Sequence, residues 1–166
     1  MLQTLIVDDE KRGRELLKMI LATNCPEVKV IGEASNTKEA YQMILQSEPD
    51  LVLLDIEMPG GTGFDLLSKF DEVNFDVIFI TAFDQYAIKA IKFSAMDYIL
   101  KPVDEEELIK AIKRAEQNRN RKNNKEKVNT LIANVQKSSN HQKIGLTSGE
   151  GLEFIEIKNI LRCEAD

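Results

Sequence analysis

Four short apolar runs in this chain each end in a polar residue suited to phosphoryl chemistry. Leu5-Ile6-Val7 runs into Asp8-Asp9, and Leu51-Val52-Leu53-Leu54 into Asp55. Val77-Ile78-Phe79-Ile80 runs into Thr81, and Tyr98-Ile99-Leu100 into Lys101. Runs of this length, rich in β-branched residues, predict strands buried on both faces. Helical patterns separate them, so the strands are expected to lie parallel in one sheet. Parallel strands place their carboxyl ends on one edge, where open α/β sheets bind ligands. Three acids, one hydroxyl and one ammonium are therefore expected at a single mouth.

The segments between the runs complete the outline. Leu16, Leu17, Ile20 and Leu21 recur at helical spacing, and this first helix should stop near Asn24-Cys25-Pro26 because proline cannot continue it. Val28 to Ala34 reads as a strand without a polar functional ending. Asn36-Thr37-Lys38-Glu39 has capping-box spacing and opens a second helix, with Ala40, Ile44 and Leu45 as its buried face and a stop before Pro49. Proline and glycines make Ile56 to Gly63 a tight loop. Phe64, Leu67 and Phe70 predict a short third helix, and Gln85 to Phe93 a fourth that offers Ile88 and Ile91 to the core. Asp104 caps a fifth helix whose Glu105, Glu106 and Glu107 favour the positive end of the dipole and whose Leu108, Ile109, Ile112 and Ala115 face the sheet. The expected fold is α/β, flavodoxin-like, with a five-stranded parallel sheet in the order 2-1-3-4-5.

Charge is distributed unevenly along the 166 residues. Residues 1–116 carry 13 Lys+Arg against 22 Asp+Glu, which makes this part a poor nucleic-acid binder by itself. Residues 117–141 carry 6 against 1 and read as a solvated, partly helical linker, with Val128, Leu131, Ile132 and Val135 restoring an apolar face briefly. Cys25 and Cys163 have no metal or redox spacing, and reduced thiols suit an intracellular protein. His141, the only histidine, lies in a polar stretch and rules out a histidine-rich metal site. Without a signal-peptide pattern or an apolar run near the ~20 residues that span a bilayer, no membrane association and a cytoplasmic location are expected.

The chemistry of the mouth follows from its residue types. A carboxylate can attack a phosphoryl group and become an acyl phosphate. Three carboxylates and a phosphoryl group repel one another unless a cation lies between them, and Mg²⁺ prefers such oxygens. Asp8, Asp9 and Asp55 would supply its protein ligands. A lysine and a hydroxyl on neighbouring strands can hold the remaining phosphoryl oxygens.

These residues resemble a known family. Asp8-Asp9 after the first strand, Asp55-Ile56-Glu57-Met58-Pro59 with Gly63 eight positions on, Thr81-Ala82 and Lys101-Pro102 look like a response-regulator receiver domain over residues 1–118. The resemblance implies that Asp55 is the phosphoacceptor and that a sensor histidine kinase supplies the phosphoryl group. It implies that Asp9 and Asp55 bind Mg²⁺ directly, Asp8 through water, and Glu57 through its backbone carbonyl. Thr81 and Lys101 would contact the phosphoryl group, and Tyr98 matches an aromatic switch that turns inward when Thr81 moves. Such a domain is a phospho-accepting switch, at most capable of self-phosphorylation and autodephosphorylation. In such receivers the first helix commonly meets the kinase, which implies exposed Lys11, Arg14, Glu15 and Lys18 with Leu17 nearby. Dimerisation on phosphorylation would use the fourth helix, fifth strand and fifth helix, with Lys89, Lys92, Asp97 and Arg114 as contacts.

The tail has a resemblance of its own. Lys143-Ile144-Gly145-Leu146, Phe154-Ile155-Glu156-Ile157 and Ile160-Leu161-Arg162-Cys163-Glu164-Ala165 are similar to the opening strands of a LytTR-type DNA-binding domain. The chain then divides into a receiver at 1–118, a basic linker at 119–141 and an incomplete LytTR-type start at 142–166. This implies a transcriptional regulator of the LytR/AlgR type whose promoter binding belongs to the full-length form only. The tail strands, around the turn Ser148-Gly149-Glu150, are expected to lack partners and to be disordered or captured by another sheet edge. A freestanding phosphorelay receiver is the alternative. An aspartyl-phosphate hydrolase is a weaker one, since Glu57 stands where that chemistry usually has a second Asp.

Overall fold

The computed structural model describes residues 1–138, 143–148 and 151–156 of the chain, with side chains described as far as Arg121. Two compact units are present, Met1–Asn120 and Arg121–Asp166. The first contains β1 (Leu2–Val7), α1 (Lys11–Asn24), β2 (Val28–Ala34), α2 (Thr37–Ser47) and β3 (Leu51–Leu54). A two-residue hairpin follows, β4 (Glu57–Met58) and β5 (Gly61–Thr62), then α3 (Gly63–Leu67) and β6 (Asp76–Thr81). One turn of 3-10 helix at Asp84–Tyr86 leads into α4 (Ala87–Lys92), β7 (Asp97–Leu100) and α5 (Glu105–Ser138).

The sheet has the order β2-β1-β3-β6-β7 and is parallel throughout. This is the expected 2-1-3-4-5 order, with the β4–β5 hairpin standing outside the sheet where the sequence predicts a loop. Register sets the mouth: Val7 pairs with Leu54, Leu54 with Phe79, and Thr81 with Leu100. Asp8 and Asp55 therefore emerge side by side, while β6 and β7 run on past that level before they end at Thr81 and before Lys101.

The two faces of the sheet carry separate cores. Leu5, Val7, Val52, Leu54 and Phe79 pack with α2, α3 and Ala90 of α4. Ile6, Leu53, Ile78, Ile80 and Ile99 pack with Leu17, Ile20 and Leu21 of α1 and with Leu108, Ala111, Ile112 and Ala115 of α5. Each fully buried Leu, Ile or Phe contributes about 1.5–3 kcal/mol of apolar transfer, which explains why strand interiors admit so little polarity.

Helix α2 begins as its sequence predicts, with the Asn36 side chain accepting from the Glu39 amide at 2.9 Å. The return bond differs from a strict capping box, because Glu39 accepts from the amide and hydroxyl of Ser35. Three expected helix faces are corrected. Leu45 is 57% exposed, so α2 buries Ala40 and Ile44 but not its neighbour. Ile88 and Ile91 of α4 are 73% and 75% exposed, and Ala90 makes the buried contact instead. A small residue lets a short helix approach the sheet closely, which turns the isoleucine stripe outward. Helix α3 ends at Leu67, and Phe70 beyond it packs its ring on Tyr41 and Phe75.

Helix α5 continues without a break through residue 118 to Ser138. In the second unit, β8 (Lys143–Ser148) and β9 (Gly151–Glu156) form an antiparallel hairpin with Ile144 opposite Ile155. The tail strands thus pair with each other, correcting the expectation that they lack partners. Each supplies the row of amides and carbonyls that the other needs. His141, Gly149-Glu150, Ile157, the segment Ile160 to Ala165 and Cys163 lie outside the described residues, as do the side chains of Val128, Leu131, Ile132 and Val135. Among the described residues, no helix is long and apolar enough to cross a membrane.

Candidate functional site

Each residue expected at the mouth is delivered by a strand end. Asp8 follows β1, and its amide donates to the Ala34 carbonyl at 3.1 Å. Asp55 follows β3, with its amide donating to Val7 at 2.8 Å, and Lys101 follows β7, donating to Thr81 at 2.8 Å. The ladder bonds thus continue one step past the strands and fix the backbone beneath the polar side chains. Carboxylate oxygens of Asp8, Asp9 and Asp55 all lie within 4.8 Å of one another. Asp8 and Asp55 are buried, and Asp9 is exposed.

Two glycines permit this close assembly. A Cβ on Gly63 would stand 2.6 Å from the Asp55 carbonyl oxygen, and one on Gly13 would stand 2.7 Å from Asp8 Oδ2. The first neighbour is backbone and cannot swing away. Gly63 therefore lets α3 start directly against the Asp55 turn, and its amide donates to Ile56 at 2.7 Å.

Lys101 Nζ lies 2.6 Å from Asp55 Oδ2 and 2.9 Å from Asp8 Oδ2. Burial alone disfavours its ammonium. The hydrogen bonds and charges of Asp55 and Asp8 outweigh that and hold its pKa above the ordinary lysine value. Asp55 Oδ1 accepts from the Ile56 amide, and Asp8 Oδ1 from the Glu10 amide. Asp8 Oδ2 has only the ion pair: it accepts no well-oriented hydrogen bond among the described residues. Three carboxylates face one ammonium, and one buried carboxylate oxygen is incompletely satisfied. That donor set fits a hard divalent cation with oxygen ligands.

Thr81 is fully buried, and its hydroxyl has no hydrogen-bond partner among the described residues. Tyr98 is half-buried, its ring 6.2 Å from that of Phe79 and its hydroxyl donating to the Phe83 carbonyl. Burial, then the charges of Asp84 and Asp55, push its phenol pKa up. The Glu57 carboxylate is not part of the three-aspartate cluster and accepts from the Tyr86 hydroxyl at 3.3 Å. The Tyr86 ring packs edge-on against Phe64 and Phe83, so one aromatic group links the β4–β5 hairpin, α3 and the loop after β6.

The first helix departs from expectation. Leu17 is core, and the apolar side chains it leaves in solvent are Leu16 and Met19. Arg14 turns inward: Nη1 donates to the carbonyls of Asp8 at 2.7 Å and Asp9 at 3.2 Å, and Nε to Glu33 at 3.3 Å. Lys18 Nζ also meets Glu33, at 2.6 Å. The Lys18 hydrogen bond chiefly, against the opposing effect of burial and with the Lys18 charge and Arg14 adding to it, holds the Glu33 carboxyl below its usual range. Helical spacing puts Arg14 on the side of buried Leu17 and Leu21, three and seven residues on, but does not name the acceptors its guanidinium reaches. Arg114 and Asp97, expected as intermolecular contacts, pair with each other at 2.5 Å.

Comparisons with known proteins agree with this geometry. The chain is 48% identical over 115 residues to an uncharacterised response regulatory protein of Vibrio cholerae, covering 69% of this chain and 48% of that one. It is 33% identical over 165 residues to the sensory transduction protein LytT of Bacillus subtilis, covering 97% and 64%. The chain thus spans about half to two thirds of the length of these relatives. A crystal structure of a LuxR-family DNA-binding response regulator from Staphylococcus aureus superposes with a TM-score of 0.64 at 28% identity, covering 69% of this chain and 98% of that one. Residues 4–113 match the response regulator receiver domain family, and with the acidic mouth built at the ends of its parallel strands the chain belongs to that family.

Proposed function

We propose that Asp55 is the phosphoacceptor of a two-component response regulator. The carrying observation is the convergence of Asp8, Asp9 and Asp55 within 4.8 Å, with Lys101 bridging two of them. An Asp55 carboxylate oxygen attacks the phosphorus of a kinase phosphohistidine. The P–O bond of an acyl phosphate forms, the P–N bond breaks, and the imidazole departs with the bonding electrons. Asp9, Asp55 and the Glu57 backbone carbonyl would hold Mg²⁺ directly and Asp8 through water, and the ion would supply charge neutralisation for the transferring group. Lys101 holds one phosphoryl oxygen by charge, and Thr81 another by its hydroxyl, which has no partner among the described residues. Moving Thr81 opens space beside Tyr98, whose hydroxyl would then leave the Phe83 carbonyl. The protein is a switch and not a turnover enzyme.

The division into receiver (1–118), basic linker (119–141) and LytTR-type start (142–166) belongs to the same reading, with a cytoplasmic location. The alignment with LytT, which runs through 97% of this chain and so past the receiver, supports a regulator over a freestanding relay module. The DNA-binding description of the Staphylococcus aureus neighbour supports a promoter-directed output in the full-length form. A histidine kinase is the donor, and self-association follows phosphorylation. Incubation with acetyl phosphate and Mg²⁺, followed by mass spectrometry, should place one phosphoryl group on Asp55. Equal labelling of Asp55→Asn would overturn the assignment.

A further inference from the structure

We propose that Arg14 is a positioning residue for the metal site, holding the Asp8–Asp9 backbone so that the Asp9 carboxylate stands ready for Mg²⁺. This rests on the metal ligands proposed above. Asp9 is the exposed member of the carboxylate cluster, and its side chain accepts no hydrogen bond among the described residues. Its position therefore depends on its backbone. One guanidinium grips that backbone on both peptides, through the Asp8 carbonyl at 2.7 Å and the Asp9 carbonyl at 3.2 Å.

The grip is itself anchored. Glu33, on neighbouring β2, accepts from Arg14 Nε and from Lys18, one turn further along α1. The Arg14 side chain is only 15% exposed and cannot wander far from these acceptors. Planar, forked donors suit such a two-carbonyl, one-carboxylate arrangement, and an ammonium on a flexible stem does not. Residues that orient a metal's ligands affect its binding strongly when lost.

Charge and position predict opposite signs here, which makes the inference decisive to test. A cation near the mouth repels Mg²⁺, so a purely electrostatic Arg14 would weaken metal binding, and its removal would tighten it. A positioning Arg14 predicts the reverse. Titration calorimetry of Mg²⁺ with the full chain should show Arg14→Ala weakened by about tenfold. Arg14→Lys, which keeps the charge but loses the fork, should weaken it comparably. The rate of labelling by acetyl phosphate should recover in both variants at saturating Mg²⁺, as expected of a defect in metal capture alone. Ile20→Val, a core change on the same helix, should lower stability while leaving Mg²⁺ affinity unchanged.

Unchanged or tighter Mg²⁺ binding by Arg14→Ala would overturn the inference, as would an equal loss in Ile20→Val. Failure of the wild-type chain to bind Mg²⁺ or to label at Asp55 would instead overturn the underlying reading of the mouth.

Discussion

Single residues in this protein are constrained most where two backbones meet. Gly63 shows the limit: an added methyl would lie 2.6 Å from the Asp55 carbonyl oxygen and 3.0 Å from the Leu54 side chain. Gly63→Ala should therefore cost about 1–3 kcal/mol, the usual range for overpacking. It should also displace the phosphoacceptor turn, so its urea midpoint and its labelling rate should fall together. An unchanged midpoint would mean that α3 can slide away freely. Asp8, Asp9, Asp55, Thr81 and Lys101 were legible before the structure because each follows an apolar run. Arg14 was not, because its partners are main-chain carbonyls and a glutamate on β2, and acceptors of that kind leave no mark in a motif.

At the scale of elements, α5 is held by polar bonds just past Ala115, the last buried residue of this helix among the described residues. Arg119 pairs with Asp50 at 2.8 Å and donates to the Met1 carbonyl at 2.6 Å, while Asn118 donates to both Asp76 carboxylate oxygens at 3.1 Å. Asp50 also accepts from the Gln3 amide at 2.8 Å. These bonds tie the helix to the starts of β1, β3 and β6. Arg119→Ala should cost about 1 kcal/mol, being a partly exposed pair plus a charged hydrogen bond. Hydrogen exchange should quicken at residues 115–120 while the central strands stay protected. Equal protection in the variant would show that the helix end holds without the tie. Sequence periodicity found α5 but not this tie, since Arg119 and Asp50, like Asn118 and Asp76, are brought together only by the sheet order.

For the molecule as a whole, the exposed isoleucines of α4 matter most. Ile88 and Ile91 lie in solvent, and Leu100 of β7 is also exposed. Ile88→Lys with Ile91→Lys should change the stability of the monomer by less than about 0.5 kcal/mol, as expected for surface sites. The same pair should suppress the self-association that beryllofluoride, a phosphoryl mimic, induces in the wild type. Light scattering reads both states, and dimerisation that survives the double change would place the interface elsewhere. Lys89 is less available than its exposure implies, because its ammonium lies 4.4 Å from the centre of the Phe64 ring.

The amino-acid sequence by itself determined the parallel strands, their order and the polar residue at each strand end. Those depend on local apolar runs and on chain connectivity, both of which are properties of neighbours in sequence. Tertiary structure alone decided which helix stripe turns inward at α4, which way Arg14 points, and that the tail strands pair with each other. Each of these choices compares two burials or two sets of hydrogen-bond partners distant in sequence. The lower free energy is defined only once the sheet and the hairpin exist to offer the alternatives.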